Sequence, residues 1–513
     1  MQTIELPVRP AVASRLTAGT IRLEPGEKKV FAPQGTNTVA EATVRWFKPS
    51  GSELAKLLGA LDYLADYPHG CLEQTTSRIF PLVASDGFLN RLASSAMEGN
   101  LATNRAAYIA AGVERVTSMI RMTDFVMWPD CNYPPWDREV SLYAIHFLIA
   151  AEKSGVKLHP FARKKIVEFL HKWTGEGSQN AAYACHTLAL AGEPDKDCML
   201  LLYDRRSTLD LLARTRLARA FVAIGDRMRA GELLVHAESS TMTLKSQAFL
   251  ILALLDLDPN DPRLGPLVRK LEATRDAARY SWGTTESNAH ALLALGAYYR
   301  YHPTTEGEPH LTIQQEGSAA RPLESKKSAI VRGAAPVTVA NVGQGTAWLA
   351  WRTQELPTPA AVTNESNQIA IERAYLTPED KPADLTKLQR GDLLIVQLTV
   401  KVPEGRVFND LVIQDLFPAA CEPVLGKLDT KLYPWVERET GSWVMRSDTR
   451  DDRILLFSKK FMVQHRKAYQ YLYPLRVVSP GTFTVPGLSI EAMYAPEIHA
   501  VTAPTRVTVS SGN

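Results

Sequence analysis

The sequence predicts a multidomain chain of mixed α and β structure: a helical domain inserted in a β-domain, with a second β-sandwich after it. Three observations predict this. Apolar residues alternate with period two up to about residue 50 and again after Pro303. Between Ser52 and about His302 the period is helical. Gly, Pro and Asp clusters divide the later alternating runs, as they do in a sandwich. With 513 residues, the chain exceeds what one hydrophobic core organises.

In chain order, "TIRLEPGEKKVFAP" reads as two short strands around a Pro-Gly turn, and "ATVRWF" as another strand. Ser50 and Glu53 then have capping-box spacing, so a helix should start there. Leu54, Leu57, Leu58, Leu61 and Leu64 fall on one helical face. Ala/Leu-rich segments of helix length follow, from "VSLYAIHFLIAAEKSG" to "ESNAHALLALGAYYRY", recurring every twenty or so residues. Stacked antiparallel pairs are expected, and a closed α/α toroid fits about a dozen such helices. Ala182, Ala184, Ala189, Ala289, Ala291 and Ala294 are small enough for close packing on an inner side. Beyond Pro303, "DLLIVQLTVKV" sets Leu394, Val396, Leu398, Val400 and Val402 on one strand face. "YQYLYPLRVV" does the same with Tyr469, Tyr471, Tyr473, Leu475 and Val477. The expected division is residues 1–50 and 303–365 as the two parts of one β-domain, 51–302 as the helical domain, and 366–513 as the last sandwich.

Composition excludes several classes. The net charge is +3, from 58 basic and 55 acidic residues, which argues against a dedicated nucleic-acid or membrane-surface binder. No apolar run has the length of a spanning helix, and "MQTIELPVRP" lacks the features of a signal peptide. The five cysteines, Cys71, Cys131, Cys185, Cys198 and Cys421, are odd in number and widely spaced, so no disulfide framework is expected. No zinc-type spacing occurs, and neither metal nor cofactor is expected. The arginines from Arg205 to Arg229 are mixed with Asp204, Asp210 and Asp226 and read as a solvated helix face.

Cys71 stands apart in "DYPHGCLEQTTSR". Gly70 permits a sharp turn, Pro68 stiffens the approach, and "QTTSRIFPL" reads as a helix beginning near Cys71. Residues three apart on a helix face each other, so the Cys71 thiol and the Gln74 carboxamide can meet. Attack of sulfur on that carboxamide, with loss of ammonia, gives an internal thioester. A helix N-terminus favours the thiolate for that attack. A thioester hydrolyses when wetted and needs an apolar cover, for which Tyr67 is a nearby candidate. Glu73 is expected to face solvent or a helix neighbour.

"GCLEQ" resembles the GCxEQ thioester motif of the α2-macroglobulin and complement family. "MWPDCNYPPWDREVSLYAIHFLIAAEKSG", "WGTTESNAHALLAL", "LVIQDLFPAACEP" and "SIEAMYAPEIHA" extend the resemblance to the C-terminal part of bacterial α2-macroglobulins, over essentially the whole chain. The resemblance implies a CUB-like β-domain holding an inserted toroidal thioester domain, then a macroglobulin-type sandwich. It implies a C-terminal fragment, without the N-terminal macroglobulin domains and bait region. Function follows as endopeptidase inhibition rather than catalysis: bait cleavage exposes the thioester, and a lysine of the target protease is acylated by Gln74 while Cys71 leaves. Tyr67, Met493 and Tyr494 match the side chains that shield the thioester. His186 lies at a remove comparable to the acyl-accepting histidine of complement-type members, although "YACHTLAL" reads as mid-helix and a core or surface histidine fits better. Target proteases are the expected partners, the chain is expected to be monomeric, and the cell envelope or periplasm is the expected location.

Two other functions stay open on the residues alone. Cys71 and Gln74 could remain unlinked in an interaction module. Cys71 could instead serve a hydrolase or transglutaminase, which needs a histidine and an acid around it; no local signature for that occurs.

Overall fold

The computed structural model describes residues 10–33, 37–66, 70–84, 100–135, 137–235, 237, 242–276, 281–304, 307–324, 328–403, 406–408, 410–425, 431, 433, 435–436, 443–458, 461–462 and 468–511. Chain from both sides of the helical block builds the first β-unit. Arg15–Leu23 pairs with Ala347–Glu355, which also pairs with Val44–Ser50, and that strand pairs with Ala329–Arg332. The second sheet joins Lys28–Phe31, Val337–Asn341, Leu311–Gln315 and Arg321–Pro322. The strands flanking the Pro25-Gly26 turn therefore enter opposite sheets. Gly26 turns the chain at φ +82°, where a side chain would be strained. Leu23, Phe47, Ile313, Val339 and Leu349 fill the space between the sheets.

The chain leaves and re-enters this unit at adjacent points. The Gly307 N–H donates to the Gly51 carbonyl at 3.2 Å. A Cβ on Gly51 would lie 1.5 Å from the Gly307 oxygen, so the two backbones can touch only without one. The helix start differs from the expected one. Ser50 is held in the sheet opposite Trp348, and Ser52 supplies the cap, accepting from the Leu54 N–H at 3.3 Å. The first turn is a 3₁₀ helix, Glu53–Leu57, before the α-helix begins.

Twelve α-helices follow among the described residues: α1 (Leu58–Asp66), α2 (Leu72–Ala84), α3 (Asn100–Thr117), α4 (Arg138–Lys153), α5 (Pro160–Trp173), α6 (Ser178–Leu190), α7 (Lys196–Asp204), α8 (Leu211–Ala223), α9 (Arg227–Leu234), α10 (Leu244–Leu257), α11 (Leu264–Ala273) and α12 (Thr285–Tyr301). Helices α2, α4, α6, α8, α10 and α12 pack each on the next, and α12 closes back on α2. The odd-numbered helices pack outside this ring. Inner helices are buried on most of their faces, which explains their weakly amphipathic, Ala/Leu-rich sequences.

The ring also takes in a residue that the sequence placed at the surface. Arg205, Arg206 and Arg227 are exposed, but Arg216 is buried on α8. Its guanidinium lies 2.7 Å from Glu139 and 3.8 Å from the Tyr183 ring centre. Burial would raise the Glu139 carboxyl, but Arg216 and Lys245 pull it down to about 2.

The last β-unit packs one sheet (Ala370–Leu376, Leu393–Lys401, Ala468–Val477, Cys421–Pro423) on another (Val444–Thr449, Arg453–Ser458, Leu411–Leu416, Leu488–Ala492, Ala495–Val501, Glu365–Asn367). Register sets Leu394, Val396, Leu398 and Val400 opposite Leu475, Tyr473, Tyr471 and Tyr469. Glu365 already pairs with Val501, so this sheet recruits chain slightly before residue 366.

Candidate functional site

Cys71 precedes α2 and acts as its N-cap. Its sulfur accepts the Gln74 N–H at 3.4 Å, while its own N–H donates to Gln74 Oε1 at 3.3 Å. This is the reciprocal geometry of a capping box, with a thiol and a carboxamide in the usual hydroxyl and carboxylate places. The helix start therefore sets the Cys71 and Gln74 side chains on the same turn, each against the other residue's backbone N–H. Three backbone contacts fix the turn. The Leu72 N–H donates to the Met127 carbonyl at 2.9 Å, the Thr75 N–H to the Cys71 carbonyl at 2.9 Å, and Arg115 Nη2 to the Gly70 carbonyl at 3.0 Å.

A hairpin of the last β-unit lies over this turn. Met493 and Tyr494 connect Leu488–Ala492 to Ala495–Val501. The Asp410 carbonyl, from a residue at φ +56°, holds the connection by accepting the Met493 N–H at 3.0 Å. Gln74 Nε2 lies 3.3 Å from Met493 Sδ, and the Tyr494 hydroxyl 3.8 Å from the Cys71 sulfur. Cys71 and Gln74 are 0% and 2% exposed beneath them. Tyr67 lies outside the described residues.

Of the two sequence expectations for Glu73, solvent or a helix neighbour, the structure shows the second. At 3% exposure Glu73 is turned into the space between α2, α12 and the hairpin. It accepts from Ser77 Oγ at 2.5 Å, from Thr285 Oγ1 at 2.9 Å and from the Tyr494 hydroxyl at 2.6 Å. Burial, then the charge of Glu286, raises its carboxyl to about 7 against the pull of those hydrogen bonds. The helix N-terminus does favour a Cys71 thiolate, through the Gln74 N–H, but it is outweighed. Burial pushes the thiol well above its ordinary value and Glu73 adds to the shift, so the Gln74 N–H does not prevail.

His186 is buried on α6, with its ring 4.9 Å from that of His146 and stacked on Tyr183. Its surroundings are those of the ring interior, and burial holds it well below its ordinary value. The polar contacts of the Cys71 sulfur are Gln74 and Tyr494, with no histidine among the described residues. Among those residues no cluster of His, Cys, Asp or Glu is placed to hold a metal, and no helix is long and apolar enough to cross a membrane.

Sequence reasoning missed the clamp around Glu73, whereas the Pro/aromatic loop that carries Met127 and Trp128 was legible and does pack beside the reactive turn, where the Met127 carbonyl accepts the Leu72 N–H. Trp128 packs its ring 5.0 Å from Phe457 of the last β-unit, and Arg446 pairs with Asp130 at 2.9 Å. The two aromatic-proline runs in "MWPDCNYPPW" were the available signal. A cavity of about 360 Å³ opens between the helices and the last β-unit, bordered by Glu73, Tyr143, Asp410 and Tyr494.

The family model described as the bacterial alpha-2-macroglobulin MG10 domain matches residues 369–497. Alpha-2-macroglobulins of Escherichia coli and Xylella fastidiosa are 25% and 24% identical, over 97% and 95% of this chain. The chain spans about a third of the length of these relatives, 32% and 31%. Native E. coli alpha-2-macroglobulin from domain MG7 to the C-terminus superposes with a TM-score of 0.77 at 22% identity, covering 98% of this chain and 83% of that one. Salmonella alpha-2-macroglobulin reacted with methylamine gives 0.75 at 24% identity, covering 98% of this chain and 34% of that one. With a helical block followed by macroglobulin-type β-units, this chain is similar along nearly its whole length to the C-terminal part of bacterial α2-macroglobulins, and its residues 369–497 match their MG10 domain.

Proposed function

We propose that Cys71 and Gln74 are joined as an internal thioester, and that the chain is the reactive part of a single-use protease trap. The observation that carries this reading is the sulfur capping box. It holds the thiol and the carboxamide on one helical turn, each against the other residue's backbone N–H, and both are buried under Met493 and Tyr494. Loss of ammonia closes the bond, and burial protects it until use. An amine that reaches the Gln74 acyl carbon forms an amide and releases the Cys71 thiol. Lysine is the target on a trapped protease. Amines are preferred to hydroxyls, since His186 is enclosed with His146 and Tyr183.

In the same reading, residues 1–50 and 303–365 are one CUB-like domain, 51–302 the inserted toroidal thioester domain, and 366–513 the macroglobulin-type sandwich. The chain acts with bait-bearing macroglobulin domains in the cell envelope or periplasm. Support for a small amine as probe comes from the Salmonella relative, whose structure was obtained after reaction with methylamine.

Intact-mass spectrometry tests the bond. A thioester-bearing chain weighs one ammonia less than its sequence, and methylamine adds its own mass while exposing one thiol. A full sequence mass, together with a thiol at Cys71 that alkylates before any amine is added, contradicts the proposal.

A further inference from the structure

We infer that Tyr494 is the general acid that protonates Cys71 as it leaves, with Glu73 as its proton partner. The proposal deepens the thioester reading and rests on it. Its geometry is a three-member chain: Glu73 Oε2 lies 2.6 Å from the Tyr494 hydroxyl, which lies 3.8 Å from the Cys71 sulfur. A shield needs a ring over the bond but no hydroxyl beside the sulfur and no buried carboxylate behind it. Glu73 is nonetheless held by Ser77 and Thr285 in the position where it meets Tyr494. The hydroxyl-to-sulfur contact is long for proton transfer, and such contacts tighten in the reacting complex.

The site needs an acid. A thiolate released here would be buried beside the Glu73 carboxylate, and both effects oppose its charge. The proton movements balance without a co-reactant. The amine nitrogen bonds to the Gln74 acyl carbon, the carbon–sulfur bond breaks, and its electron pair goes to sulfur. The Tyr494 hydroxyl, which donates to Glu73 at rest, turns its proton to the sulfur and gives it up. Glu73, which borders the same cavity as Tyr494, takes the proton the nitrogen loses and passes it to the Tyr494 oxygen. The products are an amide, a Cys71 thiol, and Tyr494 and Glu73 in their starting states. Tyr494 is then both the cover of the bond and part of its discharge.

The test compares Tyr494→Phe with Tyr494→Gly in the full chain, with methylamine as probe and thiol release as readout. Tyr494→Phe keeps the ring, should keep the ammonia deficit, and should release thiol at least about tenfold more slowly than wild type. Glu73→Gln should slow release similarly, and the double variant should be no slower than either single one. Tyr494→Gly should speed loss of the thioester to water. In the wild type, thiol release should slow about twofold or more in heavy water. A Tyr494→Phe chain that releases thiol as fast as wild type, or a wild-type rate unchanged in heavy water, reduces Tyr494 to a lid and overturns the relay alone. A wild-type chain at full sequence mass overturns the relay together with the thioester.

Discussion

At the scale of single residues, Glu73 carries a test that does not depend on the thioester. An unfolded carboxyl titrates near 4.3, and burial raises this one to about 7. The folded state therefore holds the proton more tightly. The stability gained from it is complete below about pH 4.3 and is lost as pH rises toward about 7. Glu73→Gln stays neutral throughout. Urea unfolding should show wild type losing up to about 3 kcal/mol relative to the variant between pH 4.5 and 7.5; a constant difference refutes the raised carboxyl. For the reactive pair, Cys71→Ala should abolish methylamine incorporation and restore the full sequence mass while leaving the thermal transition nearly in place. Arg216→Ala should be far more damaging, about 3–5 kcal/mol, because it strips the Glu139 carboxylate of its closest partner inside the ring. Chemical denaturation measures this directly.

Two elements decide where the site lies. The first is the start of α2, where the cap is a thiol and the Met127 and Arg115 contacts fix the turn. The second is the connection at Met493 and Tyr494, whose strands place it over that turn. The helical block is held in the first β-unit by a third device, the backbone contact of Gly51 with Gly307. Gly51→Ala should force these segments apart and cost about 1–3 kcal/mol, or more if the entry strand shifts. A thermal transition matching wild type would show that the junction has room to relax.

On the scale of the whole molecule, the proposed bond depends on how the last β-unit docks against the helices. Val412, Leu455, Phe457 and Met493 belong to the same apolar cluster as Cys71, Leu72 and Trp128. Phe457→Ala removes the partner of Trp128 at a distance from the reactive pair. It should loosen the cover and shorten the lifetime of the ammonia-deficient form several-fold, followed by intact mass over time. Arg446→Ala breaks an ion pair whose Asp130 side is exposed and should cost less than about 1 kcal/mol. If Arg446→Ala exposes the bond as strongly as Phe457→Ala, docking is electrostatic rather than apolar.

By itself the sequence determined the order of periods, the face of each amphipathic strand, and the spacing that lets Cys71 meet Gln74. Those features are local, set by side-chain alternation, helical repeat and cap chemistry within a few residues. It misplaced Ser50 and Arg216, and left Glu73 undecided, for one shared reason. Ser50 is held by a strand about three hundred residues away, Glu73 by Thr285 and Tyr494, and Arg216 by Glu139. A charged residue in a sequence reads as solvated because burying an unpaired charge is costly. Only the tertiary structure could show the partners that remove the cost. It also set Met493 and Tyr494, which the family resemblance had named, over Cys71 from more than four hundred residues downstream, because ring closure and sandwich docking are long-range packing events that no local period encodes.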